Sequence, residues 1–208
     1  MIDVLSKKQA QFLDIEVVRK KYITKKELMD NAGKLSAQFF VENIDNSFNQ
    51  KVLVIAGKGD NGGDAIIMHS YLLDYGIDSK LYIIDSSLDN ALIKNYKIPK
   101  NSILKKINSS NLDNYNWFID GIFGIGLNRI IKGSYKTIID MLKDRRIISL
   151  DIPSGMGCDL GAYLSDCYIK PEHVLSMGNY KYSNIINEGK KYIEKTRILD
   201  IGFPDSNK

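Results

Sequence analysis

Lys51–Ala56 is a short β-branched and apolar run that stops at Gly57. Runs of the same kind recur at Lys80–Asp85, Trp117–Asp120, Ile147–Asp151, Val174–Met177 and Arg197–Ile201, and each predicts a strand. Between them the apolar positions take helical spacing: Ala65–Tyr75, stopped by Gly76, then Ser87–Tyr96 and Tyr135–Lys143. Two capping boxes, Ser6-x-x-Gln9 and Thr24-x-x-Glu27, open two helices ahead of the first strand. The second carries Leu28, Ala32, Leu35 and Phe39 as a buried stripe, and the first adds Phe12, Leu13, Val17 and Val18. Alternating strands and helices predict an α/β fold, three-layered and Rossmann-like: a mostly parallel sheet with helices on both faces. With no repeat, low-complexity tract or linker, the chain reads as one domain over 1–208, with N-terminal helices over 1–50 and a Rossmann-like core over 51–208.

Composition narrows the function classes. The chain has 208 residues, 44% hydrophobic and 26% charged, enough for one α/β domain with an ordinary soluble composition. The net charge of +4 comes with scattered basic doublets (Lys7-Lys8, Lys25-Lys26, Lys105-Lys106, Arg145-Arg146, Lys190-Lys191), which read as solvated faces rather than a nucleic-acid patch. No apolar run reaches the roughly 20 residues of a membrane span, and the N-terminus lacks a signal-peptide core. Cys158 and Cys167 fit no metal or redox spacing and read as buried free thiols of a cytoplasmic protein.

The candidate chemistry collects at strand ends. Gly57, Gly59 and Gly62 have the G-x-G-x-x-G spacing that lets a nucleotide approach a helix N-terminus, but Asp60 and Asp64 in the same loop would repel phosphates. The loop therefore reads as a nucleotide-type site altered for another chemistry. Asp64, Asp120 and Asp151 each follow an apolar strand and sit beside glycines, so they are expected to converge in the crevice beyond the strand C-termini. Converging carboxylates share a cation or have their pKa values pushed apart; hard oxygens favour a hard cation, and no His or Cys cluster suggests zinc. Each acid also reads as a cap or turn former, Ser154 as a cap or a ligand, and Asn61 as a turn residue or a neutral oxygen ligand. His69 and His173 have no partner pattern. Asp85 ends a predicted strand, at too long a spacing for a ribose-binding acid, and reads as a turn residue.

At these residues the chain resembles the YjeF N-terminal domain family, the NAD(P)H-hydrate epimerases. Leu28-Met29-Asp30-Asn31-Ala32-Gly33 is similar to L-M-E-N-A-G, and Asp60-Asn61-Gly62-Gly63-Asp64 to N-N-G-G-D. Asp120-Gly121-Ile122-Phe123-Gly124-Ile125-Gly126-Leu127 is similar to D-A-L-F-G-T-G-L, and Leu150-Asp151-Ile152-Pro153-Ser154-Gly155 to V-D-I-P-S-G. Gly178-Asn179-Tyr180-Lys181 sits where the family has a glycine and a lysine after a strand, and Asp200-Ile201-Gly202-Phe203-Pro204 resembles D-I-G-I-P. The chain departs from the pattern at Asp60, at Ala65 and at Gly157.

The resemblance implies an isomerase of cofactor repair that interconverts the R and S epimers of hydrated NADH and NADPH. It implies potassium, one ion per subunit, held by Asn61, Asp120 and Ser154. It implies substrate contacts at Asp60, Asn61, Gly62, Gly63, Asp64, Gly124, Ile125, Gly126, Leu127, Asn128, Arg129, Ile130 and Asp151. Asp151 is the candidate general acid/base; Lys181 is a second proton carrier, an oxyanion stabiliser or a plain surface lysine. A homodimer is implied, as is functional coupling to a separate dehydratase, with no dehydratase domain in these 208 residues. Two other readings stand beside it. Related domains serve as interaction scaffolds, and a Rossmann oxidoreductase would need Asp64 to face a pyrophosphate.

Overall fold

The structure, a computed structural model, describes residues 3–84 and 90–204. In chain order the elements are β1 (Val4–Leu5), α1 (Lys7–Arg19), α2 (Lys25–Asn43), β2 (Lys51–Ala56), α3 (Asp60–Asp74), β3 (Asp78–Ile83), α4 (Asn90–Asn95), β4 (Ile103–Leu104), α5 (Ser109–Leu112), β5 (Trp117–Gly121), α6 (Gly133–Met141), β6 (Ile147–Leu150), β7 (His173–Met177), β8 (Tyr180–Lys181), α7 (Tyr182–Ile185) and β9 (Thr196–Leu199). Three short 3-10 segments cover 47–49, 100–102 and 187–195.

Seven strands form one parallel sheet in the order β4-β3-β2-β5-β6-β7-β9. Strand β2 explains its own sequence. Val52, Val54 and Ala56 pack into a core with α2 and α3, while Leu53 and Ile55 pack into a second core with α5 and α6. A strand covered on both faces needs an unbroken apolar run, which Lys51–Ala56 supplies. The chain leaves β2 toward β3 on one side and returns as β5 on the other, so the sheet has its topological switch between β2 and β5, where a ligand crevice is expected.

Both predicted capping boxes are formed: Ser6 and Thr24 accept from the backbones of Gln9 and Glu27, whose side chains return the bond. The stripe of α2 packs as expected, with Leu28, Ala32 and Phe39 buried and Leu35 against the same core. Several boundaries differ from the sequence reading, those of α6, β7 and β9 by one or two residues and three others as the backbone dictates. Helix α3 begins at Asp60, five residues before Ala65, because Gly59 turns the chain at φ 102° and Gly62 fits against the preceding turn; a Cβ on Gly62 would overlap the Gly57 carbonyl oxygen. Strand β3 starts at Asp78 rather than Lys80, in register with Lys51. Strand β6 ends at Leu150, because Asp151 turns into the left-handed region at φ 65°. Asp85 and the start of the helix expected over Ser87–Tyr96 lie outside the described residues.

The N-terminal segment is tied to the far end of the chain. β1 pairs in parallel with β8, Val4 opposite Tyr180 and Leu5 opposite Lys181. Val17 of α1 is buried and Leu13 packs on the core, but Phe12 is 62% exposed, Ile15 63% and Tyr22 63%.

Candidate active site

The strand ends of β2, β5 and β6 and helices α1 and α2 enclose a cleft of about 1090 Å3, large enough for a dinucleotide. Asp151 and Lys181 lie at its floor. The Asp151 N–H donates to Leu175 O at 2.7 Å, fixing the turn after β6. Its Oδ2 accepts from Ile125 N at 3.2 Å, and its Oδ1 stands 2.7 Å from Lys181 Nζ. Lys181 also donates to Met177 O at 2.6 Å and Ser176 Oγ at 3.3 Å, and is only 3% exposed. This overturns the surface-lysine alternative. A buried ammonium persists only with such partners, and the carboxylate is one of them.

Asp120, at the end of β5, lies a layer below and is fully buried. Its Oδ2 accepts from Ser149 Oγ at 2.7 Å and Ser154 N at 2.9 Å; its Oδ1 accepts from Ser154 Oγ at 2.6 Å and Ile122 N at 3.2 Å. Burial pushes its carboxyl up, against the downward pull of the hydrogen bonds from Ser154, Ser149 and Ile122. Among the described residues no side-chain cation pairs with it. Ser154 Oγ accepts from Phe123 N at 2.9 Å, tying the turn after β6 to the loop after β5. Asn61, in the first turn of α3, has both side-chain polar atoms buried without a partner. Gly124 keeps the space beside it open, since a Cβ there would come within 3.3 Å of Asn61 Cγ and 3.0 Å of Asp151 Oδ2.

Asn61 offers an orphaned amide oxygen, Asp120 a buried carboxylate without a counter-charge and Ser154 a hydroxyl, and such hard oxygen donors suit a hard cation. Among the described residues no group of three or more His, Cys, Asp or Glu is placed to hold a metal.

Acids crowd the cleft. Burial, then Asp151, drives Asp64 well above the usual carboxylate range. Asp14, from α1, is pushed up to about 6 by burial and then by Asp151, against the pull of Lys181. Asp60 forms an ion pair with Lys25 at 2.8 Å, so the extra charge at this position has a counter-ion. Of the sequence-derived contacts, Asp60, Asn61, Asp64, the run from Gly124 to Arg129, Asp151 and Lys181 line the cleft. Gly62, Gly63 and Ile130 do not: the two glycines pack against Gly57 and Met29, and Ile130 is 58% exposed. Asp14 and Lys25 line it as well. Asp14 had one signal in the sequence, an acid set between Leu13 and Ile15 on an amphipathic helix.

His69 is buried between Ser79 Oγ (2.8 Å) and Ser102 Oγ (3.0 Å), and His173 packs against Phe39 and Trp117. Both are parts of the packing. Cys158 and Cys167 are free and buried, and burial pushes the Cys158 thiol up to about 12, an unreactive setting.

Residues 25–183 match the family described as YjeF-related protein N-terminus. The chain belongs to that family. Among its relatives, the NAD(P)H-hydrate epimerase of Oenococcus oeni is 29% identical, with 96% of each chain covered. The NAD(P)H-hydrate epimerase of Elusimicrobium minutum is 30% identical over 98% of this chain and 97% of its own. The bifunctional NAD(P)H-hydrate repair enzyme Nnr of Dictyoglomus turgidum is 30% identical over 85% of this chain but only 36% of its own length. The crystal structure of yeast ynu0, YNL200c, superposes with a TM-score of 0.74 at 24% identity, covering 95% of this chain and 87% of that one. It matches the fold described above.

Proposed function

We propose that this chain is an NAD(P)H-hydrate epimerase, an isomerase interconverting the R and S epimers of hydrated NADH and NADPH. The observation that carries the reading is the buried Asp151–Lys181 pair at the floor of a dinucleotide-sized cleft, in a chain aligned along its length with proteins of that name. The hydrate carries its hydroxyl at C6 of the reduced nicotinamide ring, a hemiaminal carbon. Its configuration is lost when the C6–N1 bond opens to an aldehyde or when the hydroxyl leaves to give an iminium, and both routes move a proton at the C6 oxygen. Asp151 is the base for that proton, held at the strand end by Ile125 N–H and Lys181. Lys181 positions the carboxylate and compensates its charge. Asp64 and Asp60 line the substrate side with Asn61 and the loop from Gly124 to Arg129.

Asn61, Asp120 and Ser154 would hold a potassium ion, which would supply a counter-charge and tie three loops together. Replacing sodium by potassium at constant ionic strength should then raise the melting temperature, and Asp120→Asn should abolish the difference. Equal melting curves for the wild type in the two salts would count against the site.

The 208 residues act as one unit in this reading, since β1 pairs with β8 and α2 packs on α3. Among the described residues no helix is long and apolar enough to cross a membrane, and the two free thiols suit a reducing cytoplasm. Two copies associate through the exposed apolar face of α1. The dehydratase that consumes one epimer is a functional partner, as the bifunctional relatives' names suggest. A scaffold of the same fold would not need a buried charge pair or an orphaned Asn61 amide at the cleft, and these favour the enzyme. The test is coupled repair. An epimer-specific dehydratase acting on the mixture should stall once its epimer is spent, and adding this protein should carry the reaction to completion; a persisting stall would refute the reading.

A further inference from the structure

The cleft holds an acid that the proposed chemistry does not yet use. Asp14 projects from α1 into the same cleft as Asp151 and Lys181. Helix α1 is fixed at its start. β1 pairs with the strand that carries Lys181, Leu5 lying opposite it. The Lys7 N–H donates to Asp159 Oδ1 at 2.6 Å, and Lys7 Nζ donates to Gly126 O at 3.1 Å on the loop that lines the cleft. Asp14, two turns further on, is therefore held at a set place relative to Lys181 and the loop after β5. Asp151 approaches the cleft from the sheet and Asp14 from the covering helix.

The iminium route calls for such an arrangement. The two epimers present their hydroxyls on opposite faces of the ring, and while the ring stays closed one fixed acid/base group reaches only one of them. We propose that Asp14 is a second catalytic residue, the proton-transfer group for the ring face turned to α1, with Asp151 serving the face turned to the sheet. This rests on the epimerase reading. In one turnover the C6–O bond breaks with its electron pair going to oxygen. That oxygen takes the proton of Asp14 and leaves as water, while the N1 lone pair forms the C6=N1 bond. Water then adds to C6 from the other face, the C6=N1 π pair returns to N1, and the water's proton passes to Asp151. Cleft water returns that proton to Asp14, or the next substrate runs the sequence backwards.

The surroundings of Asp14 suit the donor role. Asp151 from the end of β6, Asp60 and Asp64 from α3, Lys25 from α2 and Lys181 from β8 face it, and the net effect of burial and charge is a carboxyl pushed up to about 6. At pH 7 it then carries its proton in roughly a tenth of the population, where an aspartate at 3.8 would do so in under about a thousandth, and at pH 6 in about half, which suits a general acid.

The experiment compares wild type and Asp14→Asn in one R/S exchange assay from pH 5 to 8, beside melting curves at pH 4 to 7. The wild type should lose kcat/KM as pH rises above about 6. Asp14→Asn should lose 100-fold or more in kcat and should lack that limb. The melting curves read the same proton without substrate. Folded Asp14 binds its proton more tightly than an unfolded aspartate at 3.8, so wild-type stability relative to Asp14→Asn should fall as pH rises from 3.8 to about 6 and level off above. An active wild type with an unchanged kcat or pH limb in the variant would overturn the role of Asp14 alone, as would a stability difference flat with pH. A folded wild type that accelerates nothing would instead overturn the epimerase reading, and this proposal with it.

Discussion

Asp151 occupies a left-handed backbone conformation at φ 65° that a side chain adopts only when its surroundings impose it. Here they do so through Leu175 O, Ile125 N and Lys181, and the result aims a carboxylate into the cleft. Asp151→Asn preserves size and most of the hydrogen bonding but removes the titrating group. It should lower kcat by about 100- to 10,000-fold with an unchanged far-ultraviolet circular dichroism spectrum; a variant retaining most activity would reduce Asp151 to a turn former. At this scale the sequence was partly legible. Asp120 and Asp151 were visible because each ends an apolar run before a glycine turn. The burial of Lys181 was not, since Gly178–Lys181 has no apolar pattern and the burial comes from β1, which is distant in sequence. Asp14 was overlooked because its importance comes from which way α1 faces, and spacing along one helix does not say which partner lies opposite.

The long elements were legible because their burial repeats. β2 is covered on both faces and reads as continuous apolar sequence, and α2 buries one stripe at helical spacing. The two-residue strands β1, β4 and β8 carry no period to detect. The start of α3 was hidden for another reason: glycines normally weaken a helix, yet Gly62 and Gly63 are in its first turns because Gly57 and Met29 pack where side chains would be. Helix α1 has apolar surface left over. Phe12 stays exposed on it beside a buried Val17, with Tyr22 just after its end, while Ile15 lines the cleft. If that face joins two copies, light scattering at micromolar concentration should give twice the 23.6 kDa chain mass, and Phe12→Asp should halve it. A mass of one chain that persists as concentration rises would refute the dimer and leave the chemistry untouched.

For the whole molecule, the alternation of strands and helices was enough to predict a parallel sheet and to place the crevice at its carboxyl edge. The strand order put the switch point between β2 and β5, where the cleft lies. What alternation does not encode is how α1 closes over that edge, because the closure depends on the β1–β8 pairing of two distant segments. The central claim concerns the whole assembly of cleft, charge pair and second acid, and one measurement addresses it directly. Purified R or S hydrate of NADH, incubated with the folded protein and potassium, is followed by proton NMR at C6. The account predicts re-equilibration of the two epimers far faster than in the protein-free control, in proportion to protein concentration. An unchanged exchange rate at high protein concentration would contradict it.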